Sequence, residues 1–149
     1  MIDHAYVIMM FLTAIMVAVV VLIHYEGLAL LNRQLANIGQ RARRPVILYS
    51  IFLVILLHLV EITCFAAAYA VLSDWQHLGG IHGTQQPQFF DYFYFSIITY
   101  SSLGFGDLVA VGAMRFMAGV EGLVGLVLIG WSASFTYLEM QRYWPTREL

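Results

Sequence analysis

The chain contains no lysine, a single cysteine and little charge of either sign. Charged residues make up 11% of the 149 residues, about half the fraction that a soluble domain of this size carries. The cysteine, Cys64, lies inside an apolar run, so an intrachain disulfide is excluded. The low charge fraction excludes an ordinary soluble domain. No nucleic-acid partner and no bound cofactor are expected.

Long apolar runs stand where charge is missing, and 61% of the residues are hydrophobic. Residues 5–23 contain one threonine and no charge. At ~1.5 Å per residue, a helix of this length spans roughly 28 Å, close to the hydrocarbon thickness of a bilayer. Asp3 and the lack of a basic N-terminal region favour a retained helix over a signal peptide. The sequence therefore predicts an all-α integral membrane protein with membrane lipid as a partner.

Three spanning helices are predicted, over roughly residues 5–31, 45–72 and 113–138. Pro45 fits the first turn of the second helix, where its missing N–H costs nothing. Residues 73–88 are polar and predict a loop at the membrane surface. Residues 89–100 are aromatic and apolar but too short to span, which favours a re-entrant helix.

The placement of arginine predicts the orientation of the chain. Six arginines follow the first or third helix: Arg33, Arg41, Arg43, Arg44, Arg142 and Arg147. The positive-inside rule therefore puts residues 32–44 and the C-terminus in the cytoplasm. The N-terminus and the loop before the third helix then face outside. No helix carries arginine at every third position, so a voltage sensor of the usual kind is not expected.

The chain is predicted to divide into three parts. Residues 1–44 hold the first helix and a basic cytoplasmic loop. Residues 45–140 hold the second helix, the re-entrant helix, a connecting loop and the third helix, and residues 141–149 form a short cytoplasmic tail. Such a tail leaves no room for a cytoplasmic ligand-binding domain, and none is expected.

The filter segment, residues 101–107, reads Ser-Ser-Leu-Gly-Phe-Gly-Asp and follows the re-entrant helix directly. Backbone carbonyls replace the hydration shell of an ion when successive carbonyls point the same way. That geometry needs alternating backbone handedness, which Gly104 and Gly106 supply at low cost. The carbonyls predicted to line an ion path are those of Ser102, Leu103, Gly104 and Phe105.

The side chains of the filter segment have separate predicted roles. The Ser102 hydroxyl is placed to add an inner ring of oxygens. Leu103 and Phe105 are expected to point away from the ion path and hold it open. Asp107 is expected to brace the outer end or to attract cations. Asp91, near the start of the re-entrant helix, is favourably placed for the helix dipole.

With its flanking helices, the filter segment resembles the pore module of potassium channels, whose filter reads Thr-Thr-Val-Gly-Tyr-Gly-Asp. Both glycines and the aspartate stand here as Gly104, Gly106 and Asp107. The resemblance covers roughly residues 45–140 and is to a small bacterial branch, here with an extra N-terminal helix. It implies a non-enzymatic homotetramer that conducts K⁺ through the filter carbonyls. The chain departs from the pattern at Ser101, Ser102, Leu103 and Ala110.

His58 and Glu61 are three residues apart and share one face of the second helix at mid-membrane depth. Ionisable groups there are costly and are usually paired. Three interpretations stay open: a hydrogen-bonded pair that fixes the second helix to its neighbours, a protonation-linked gate, or half of a metal site. His24, near the end of the first predicted helix, is expected to extend to the membrane interface.

Glu121 and Gly125 lie on the third helix, and Glu121 lies at a depth where it can reach the back of the filter segment. Glu121 is predicted to hydrogen-bond to Tyr100, Ser96 or Thr99 and so to support the filter or its gating. Gly125 is either a gating hinge or a point of close helix packing.

Three alternatives to a potassium channel remain. The departures at the serines and Leu103 fit a weakly selective monovalent-cation channel. An intramembrane metal-binding protein would use His58, Glu61, Glu121 and His24. A non-conducting channel subunit would need a different partner chain to conduct.

Overall fold

The computed structural model describes residues 4–37, 43–83 and 87–143. These ranges hold four α-helices, one short 3-10 helix and two short strands. In chain order they are α1 His4–Asn37, α2 Arg43–Ser73, the 3-10 helix Gln76–Leu78, β1 Gly80–His82, α3 Phe89–Tyr100, β2 Val109–Val111 and α4 Met114–Tyr143. Arg41 and Arg147, on which part of the predicted orientation depends, lie outside the described residues.

Three of the helices, α1, α2 and α4, are long and apolar enough to cross a membrane. They confirm the three predicted spans. α1 continues to Asn37, about two turns past its predicted end near residue 31. The reason is packing: Leu35 is fully buried and forms one apolar cluster with Val46 and Ile47 at the start of α2.

α3 has the predicted bounds and is the short helix of the fold. Its 12 residues extend about 18 Å, too little to cross a bilayer. The buried side of α3 faces α2 and α4 and contributes Phe95 and Ile98 to the core. Phe65 of α2 and Met117 of α4 belong to the same apolar cluster. α3 is therefore held between two spanning helices.

Two short strands bracket α3 and the filter segment, where the sequence predicts only loops. β1 and β2 pair antiparallel, with Ile81 opposite Ala110. Gly79 has φ of +102°, and a Cβ there would lie 2.0 Å from the Val111 carbonyl oxygen. Because glycine lets the two backbones approach so closely, the segment that leaves α2 and the segment that enters α4 are joined.

α1 packs against both α2 and α4. Leu28 and Leu31 of α1 share an apolar cluster with Val54 of α2, and Phe135 of α4 packs against that cluster. The extra helix is thus part of the same packed unit as the segment between α2 and α4.

Candidate functional site

The start of α3 is fixed by a side-chain cap. The Gln88 backbone N–H donates to Asp91 Oδ2 at 2.7 Å, so an acidic group lies in the first turn as predicted. At the other end, the Ser101 N–H and the Ser101 hydroxyl both donate to the Ile97 carbonyl, at 3.0 and 2.6 Å. The helix ends directly at the filter segment. Its carboxyl end carries the negative end of the helix dipole.

The backbone of the filter segment alternates in handedness. φ is +58° at Ser102, +52° at Gly104 and +82° at Gly106, whereas Leu103 and Phe105 keep ordinary negative φ. The alternation predicted at the two glycines is therefore present, and Ser102 extends it by one step. A positive φ at a residue other than glycine is uncommon, and backbone conformations of this kind cluster at functional sites.

Backbone hydrogen bonds tie the filter segment to the end of α3. The Gly104 N–H donates to the Ile98 carbonyl at 3.0 Å, and the Ser102 N–H donates to the Thr99 carbonyl at 2.9 Å. The Ser102 hydroxyl, predicted to add an inner oxygen, lies 3.4 Å from the Gly122 carbonyl oxygen of α4. The segment is thus anchored through its N–H groups and one hydroxyl.

The outer side chains of the filter segment differ in their surroundings. Leu103 and Phe105 leave 62% and 68% of their surfaces exposed on the single chain. The Asp107 carboxylate lies close enough to the Tyr94 hydroxyl of α3 to raise the pKa of Tyr94 above its ordinary value. Asp107 therefore lies beside α3 at the outer end of the filter segment.

Glu121 of α4 lies buried behind the filter segment. It accepts hydrogen bonds from the Tyr69 hydroxyl at 2.6 Å and the Ser96 hydroxyl at 2.5 Å. The Ser96 hydroxyl oxygen also lies 3.0 Å from the Ile62 carbonyl oxygen of α2, so its one proton faces both acceptors. Of the three partners predicted for Glu121, the structure shows Ser96. Its bonds join α2, α3 and α4 around one carboxylate.

Glu61 of α2 forms the second buried carboxylate site, with partners from three helices. Its Oε1 lies 2.8 Å from His24 Nδ1 of α1, and its Oε2 lies 3.1 Å from His58 Nδ1. The Tyr100 hydroxyl at the end of α3 donates to Glu61 Oε2 and lies 2.9 Å from His58 Nδ1. The pair predicted from the spacing of His58 and Glu61 is present and joins α2 to both α1 and α3.

The expectation that His24 extends to the membrane interface is wrong. His24 is fully buried and contacts Glu61. α1 continues 13 residues beyond His24, about 20 Å, so His24 does not lie near the end of the helix as predicted.

Two glycines of α4 let that helix contact the backbone of α3. A Cβ at Gly125 would lie 2.0 Å from the Tyr100 carbonyl oxygen, and a Cβ at Gly122 would lie 3.2 Å from that of Thr99. This is the close packing that was one of the two interpretations of Gly125. Any larger side chain at Gly125 displaces the end of α3.

A family model described as an ion channel matches residues 56–141, which include most of α2, all of α3, the filter segment and nearly all of α4. The match covers more than half of the chain. The chain belongs to this ion channel family. No curated protein and no solved structure matches the chain. With its three spanning helices, the channel is a multi-pass membrane protein.

Sequence reasoning missed Tyr69 and Tyr94 in the channel's site, and it named His24 there only as a ligand of the metal-binding alternative. Tyr69, Tyr94 and His24 supply partners to Glu121, Asp107 and Glu61 across separations of 52, 13 and 37 residues. No local pattern signals such partners. A buried carboxylate does signal that donors must exist, because an unpaired charge at this depth is costly. The positive φ of Ser102 could not be predicted from its residue type.

The Tyr100 hydroxyl is expected to contribute measurably to the stability of the channel. Tyr100→Phe removes a donor from Glu61, and an incompletely paired buried carboxylate costs about 1–3 kcal/mol. We expect a lower melting temperature for the purified channel in detergent, measured by intrinsic fluorescence. Tyr137→Phe is the matched control, because the Tyr137 hydroxyl bonds only to Gln141 on the exposed side of α4. Equal melting temperatures for the two variants would contradict this role of Tyr100.

Proposed function

We propose that the protein is a potassium-selective channel that conducts passively through a homotetrameric pore. The observation that carries this proposal is the alternation of positive and negative φ along Ser102, Leu103, Gly104, Phe105 and Gly106. Alternation turns successive carbonyls toward the same side, which is the arrangement that replaces the hydration shell of an ion. We assign K⁺ sites to the carbonyl oxygens of residues 102–105. The Ser102 hydroxyl then lies beside the innermost of these carbonyls.

Four copies are proposed because one filter segment cannot surround an ion. A closed ring of identical subunits supplies equivalent carbonyls on every side of an axis. The exposed Leu103 and Phe105 side chains support this assembly, since apolar groups of that size at the pore are covered when neighbouring copies pack against them. Native mass spectrometry of the purified protein in detergent tests it, with four chains as the expected mass.

The helix end and the carboxylates behind the filter segment favour a cation in the ion path. The carboxyl end of α3 turns its partial negative charge toward the inner end of the filter segment. Glu61 and Glu121 hold α3 from behind, each through a hydroxyl group of α3, Tyr100 for Glu61 and Ser96 for Glu121. In this proposal α4 lines the inner cavity, and α1 packs on the outside of α2 and α4.

The proposed orientation follows from the arginines. Arg33 near the end of α1 and Arg142 near the end of α4 mark the cytoplasmic side by the positive-inside rule. The N-terminus and the outer end of the filter segment then face outside. Labelling of single cysteines, placed at the exposed positions 82 and 142 in a Cys64→Ser background, tests this orientation in intact cells.

Reconstitution in liposomes tests the proposed function directly. We expect K⁺ flux down a gradient, with a reversal potential in mixed salts that follows K⁺ rather than Na⁺. Equal K⁺ and Na⁺ permeability would replace potassium selectivity with a weakly selective cation pore. Absence of flux across several pH values and under membrane tension would favour a subunit that conducts only with another chain.

Weak selectivity among monovalent cations is the second candidate, and the residues of the filter segment favour it. Ser101 and Ser102 lack the methyl group that packs a threonine hydroxyl, and Leu103 lacks the β-branch that restrains the backbone. Both differences loosen the positions of the oxygens around an ion.

The triple variant Ser101→Thr, Ser102→Thr, Leu103→Val is expected to sharpen selectivity for K⁺ over Na⁺. We expect the permeability ratio from reversal potentials to rise about tenfold, a difference of about 1.4 kcal/mol between the two ions. Thr63→Ser on the exposed face of α2 is the control, since it changes one methyl group beside a hydroxyl that bonds back to the Leu59 carbonyl of the same helix. An unchanged ratio in the triple variant would mean that these residues do not set selectivity.

A further inference from the structure

Three potential metal ligands meet behind the filter segment, in what we call the His–Glu cluster: His24, His58 and Glu61. One ligand atom from each of the three residues lies within 4.8 Å of the other two. His24 comes from α1, and the other two come from α2. Sequence spacing brings together only His58 and Glu61. The fold adds His24 as a third ligand.

The distances in the His–Glu cluster fit a small divalent ion. Zinc binds imidazole nitrogen and carboxylate oxygen at about 2.0–2.2 Å, so tetrahedral ligand atoms lie about 3.3 Å from one another. The Nδ1 atoms of His24 and His58 lie 2.8 and 3.1 Å from the two oxygens of Glu61. These separations are hydrogen-bond distances and are slightly shorter than those between ligands of one zinc ion. An outward shift of a few tenths of an ångström makes room for the ion.

The surroundings of His24 also suit a ligand. A metal-bound imidazole donates from its other nitrogen to an oxygen that fixes the ring. The Nε2 atom of His24 lies 3.4 Å from the Ser132 hydroxyl of α4. The Trp131 ring packs against the imidazole, with centroids 5.2 Å apart. When Nδ1 turns to the metal, the single proton of the neutral ring sits on Nε2 and faces Ser132.

We propose that the His–Glu cluster is a binding site for a divalent transition metal, with zinc as the best fit. Two imidazoles and one carboxylate form the His₂Glu ligand set, which leaves a fourth position open. Imidazole ligands select zinc, copper, nickel and cobalt over magnesium and calcium, which prefer oxygen. Glu121 lies outside the set, because its partners are Tyr69 and Ser96.

The His–Glu cluster is open at one edge, toward a cleft between α2 and α4. His58 is 15% exposed at its side chain, whereas His24 and Glu61 are fully buried. His58 and Ser132 both line a cleft between α2 and α4, with Ile55 and Ile129 beside them. An ion therefore reaches His58 first and the buried pair next.

The position of the site gives a bound metal a structural consequence. Glu61 Oε2 accepts the hydrogen bond of Tyr100, the residue before the filter segment. A metal on Glu61 would join α1 and α2 through coordinate bonds at the point where α3 is held. This inference concerns metal binding and stands whether or not the pore is selective for K⁺.

The test uses the unmodified channel, purified without a polyhistidine tag and stripped of metal with a chelator. Zinc is titrated by calorimetry, and cobalt is followed by its visible absorption bands. We expect one ion per subunit, cobalt bands typical of tetrahedral nitrogen and oxygen ligands, and no response to magnesium. Absence of zinc binding, or equal binding of magnesium, would overturn the proposal.

Two variants locate the site. The chain has five histidines. A triple variant, His4→Ala, His77→Ala, His82→Ala, keeps only His24 and His58. This triple variant changes exposed residues and is expected to keep one zinc per subunit. The double variant His24→Ala, His58→Ala is expected to weaken zinc binding at least about a hundredfold. Loss of even a residue that hydrogen-bonds to a metal ligand lowers metal affinity 10–100-fold. Zinc lost in the first variant or retained in the second would overturn the proposal; should the second fail to fold, the first still decides.

Discussion

Gly104→Ala is expected to abolish K⁺ flux through the reconstituted channel. Gly104 has φ of +52°, a conformation that costs a residue with a Cβ about 1–2 kcal/mol. The proposed pore of four subunits would carry the substitution four times, which adds about 4–8 kcal/mol of strain to the alternating backbone. An alanine escapes this strain by turning its peptide, and the carbonyl then leaves the ion path. The conducting arrangement should become at least about a thousandfold rarer.

The expected loss of flux comes from backbone conformation and not from a steric clash of the added methyl group. A control variant separates these two causes. A Cβ at Gly104 meets no atom within 4 Å on its own chain, and the same holds for Gly130 of α4. Gly130 has helical backbone, so Gly130→Ala should leave flux unchanged. Its helix should be slightly more stable, because alanine has a higher helix propensity than glycine. Flux in Gly104→Ala equal to that of Gly130→Ala would show that alternating handedness at this position is not needed for conduction.

The parts of the fold that local sequence controls were predictable. Spanning helices follow from apolar length, and α3 follows from an apolar segment too short to span that lies beside polar residues. The alternation at Gly104 and Gly106 follows from residue type, because glycine populates positive φ at little cost. The membrane restricts the choices further, since each buried backbone polar group must find a partner within the protein.

The remaining features depend on contacts between distant residues. The strands β1 and β2 have three residues each and pair Gly80 with Val111, so neither has a pattern long enough to recognise. The end of α1 was predicted too early because Leu35 is buried by residues of α2 rather than by its own neighbours. That error also misplaced His24 near the interface and hid its contact with Glu61.

Gly125→Ala is expected to destabilise the channel strongly, and the cause differs from that at Gly104. The added Cβ would lie 2.0 Å from the carbonyl oxygen of Tyr100 and 2.8 Å from its carbon. Tyr100 cannot easily move away, because its hydroxyl group is held by Glu61 and His58. Overpacking of this kind typically costs 1–3 kcal/mol, and a clash with backbone falls at the upper end, about 3 kcal/mol per subunit.

Thermal unfolding of the purified channel in detergent measures this effect. We expect Gly125→Ala to lower the melting temperature by roughly 6–12 °C, since 1 kcal/mol corresponds to about 2–4 °C for a chain of this size. Gly119→Ala, on the same helix but with no atom within 4 Å of its Cβ, should melt at or above the temperature of the unmodified channel. A gating hinge at Gly125 makes the opposite prediction: flux changes in Gly125→Ala while the melting temperature matches that of Gly119→Ala. The two measurements together therefore decide whether Gly125 is required for packing against Tyr100 or for bending of α4.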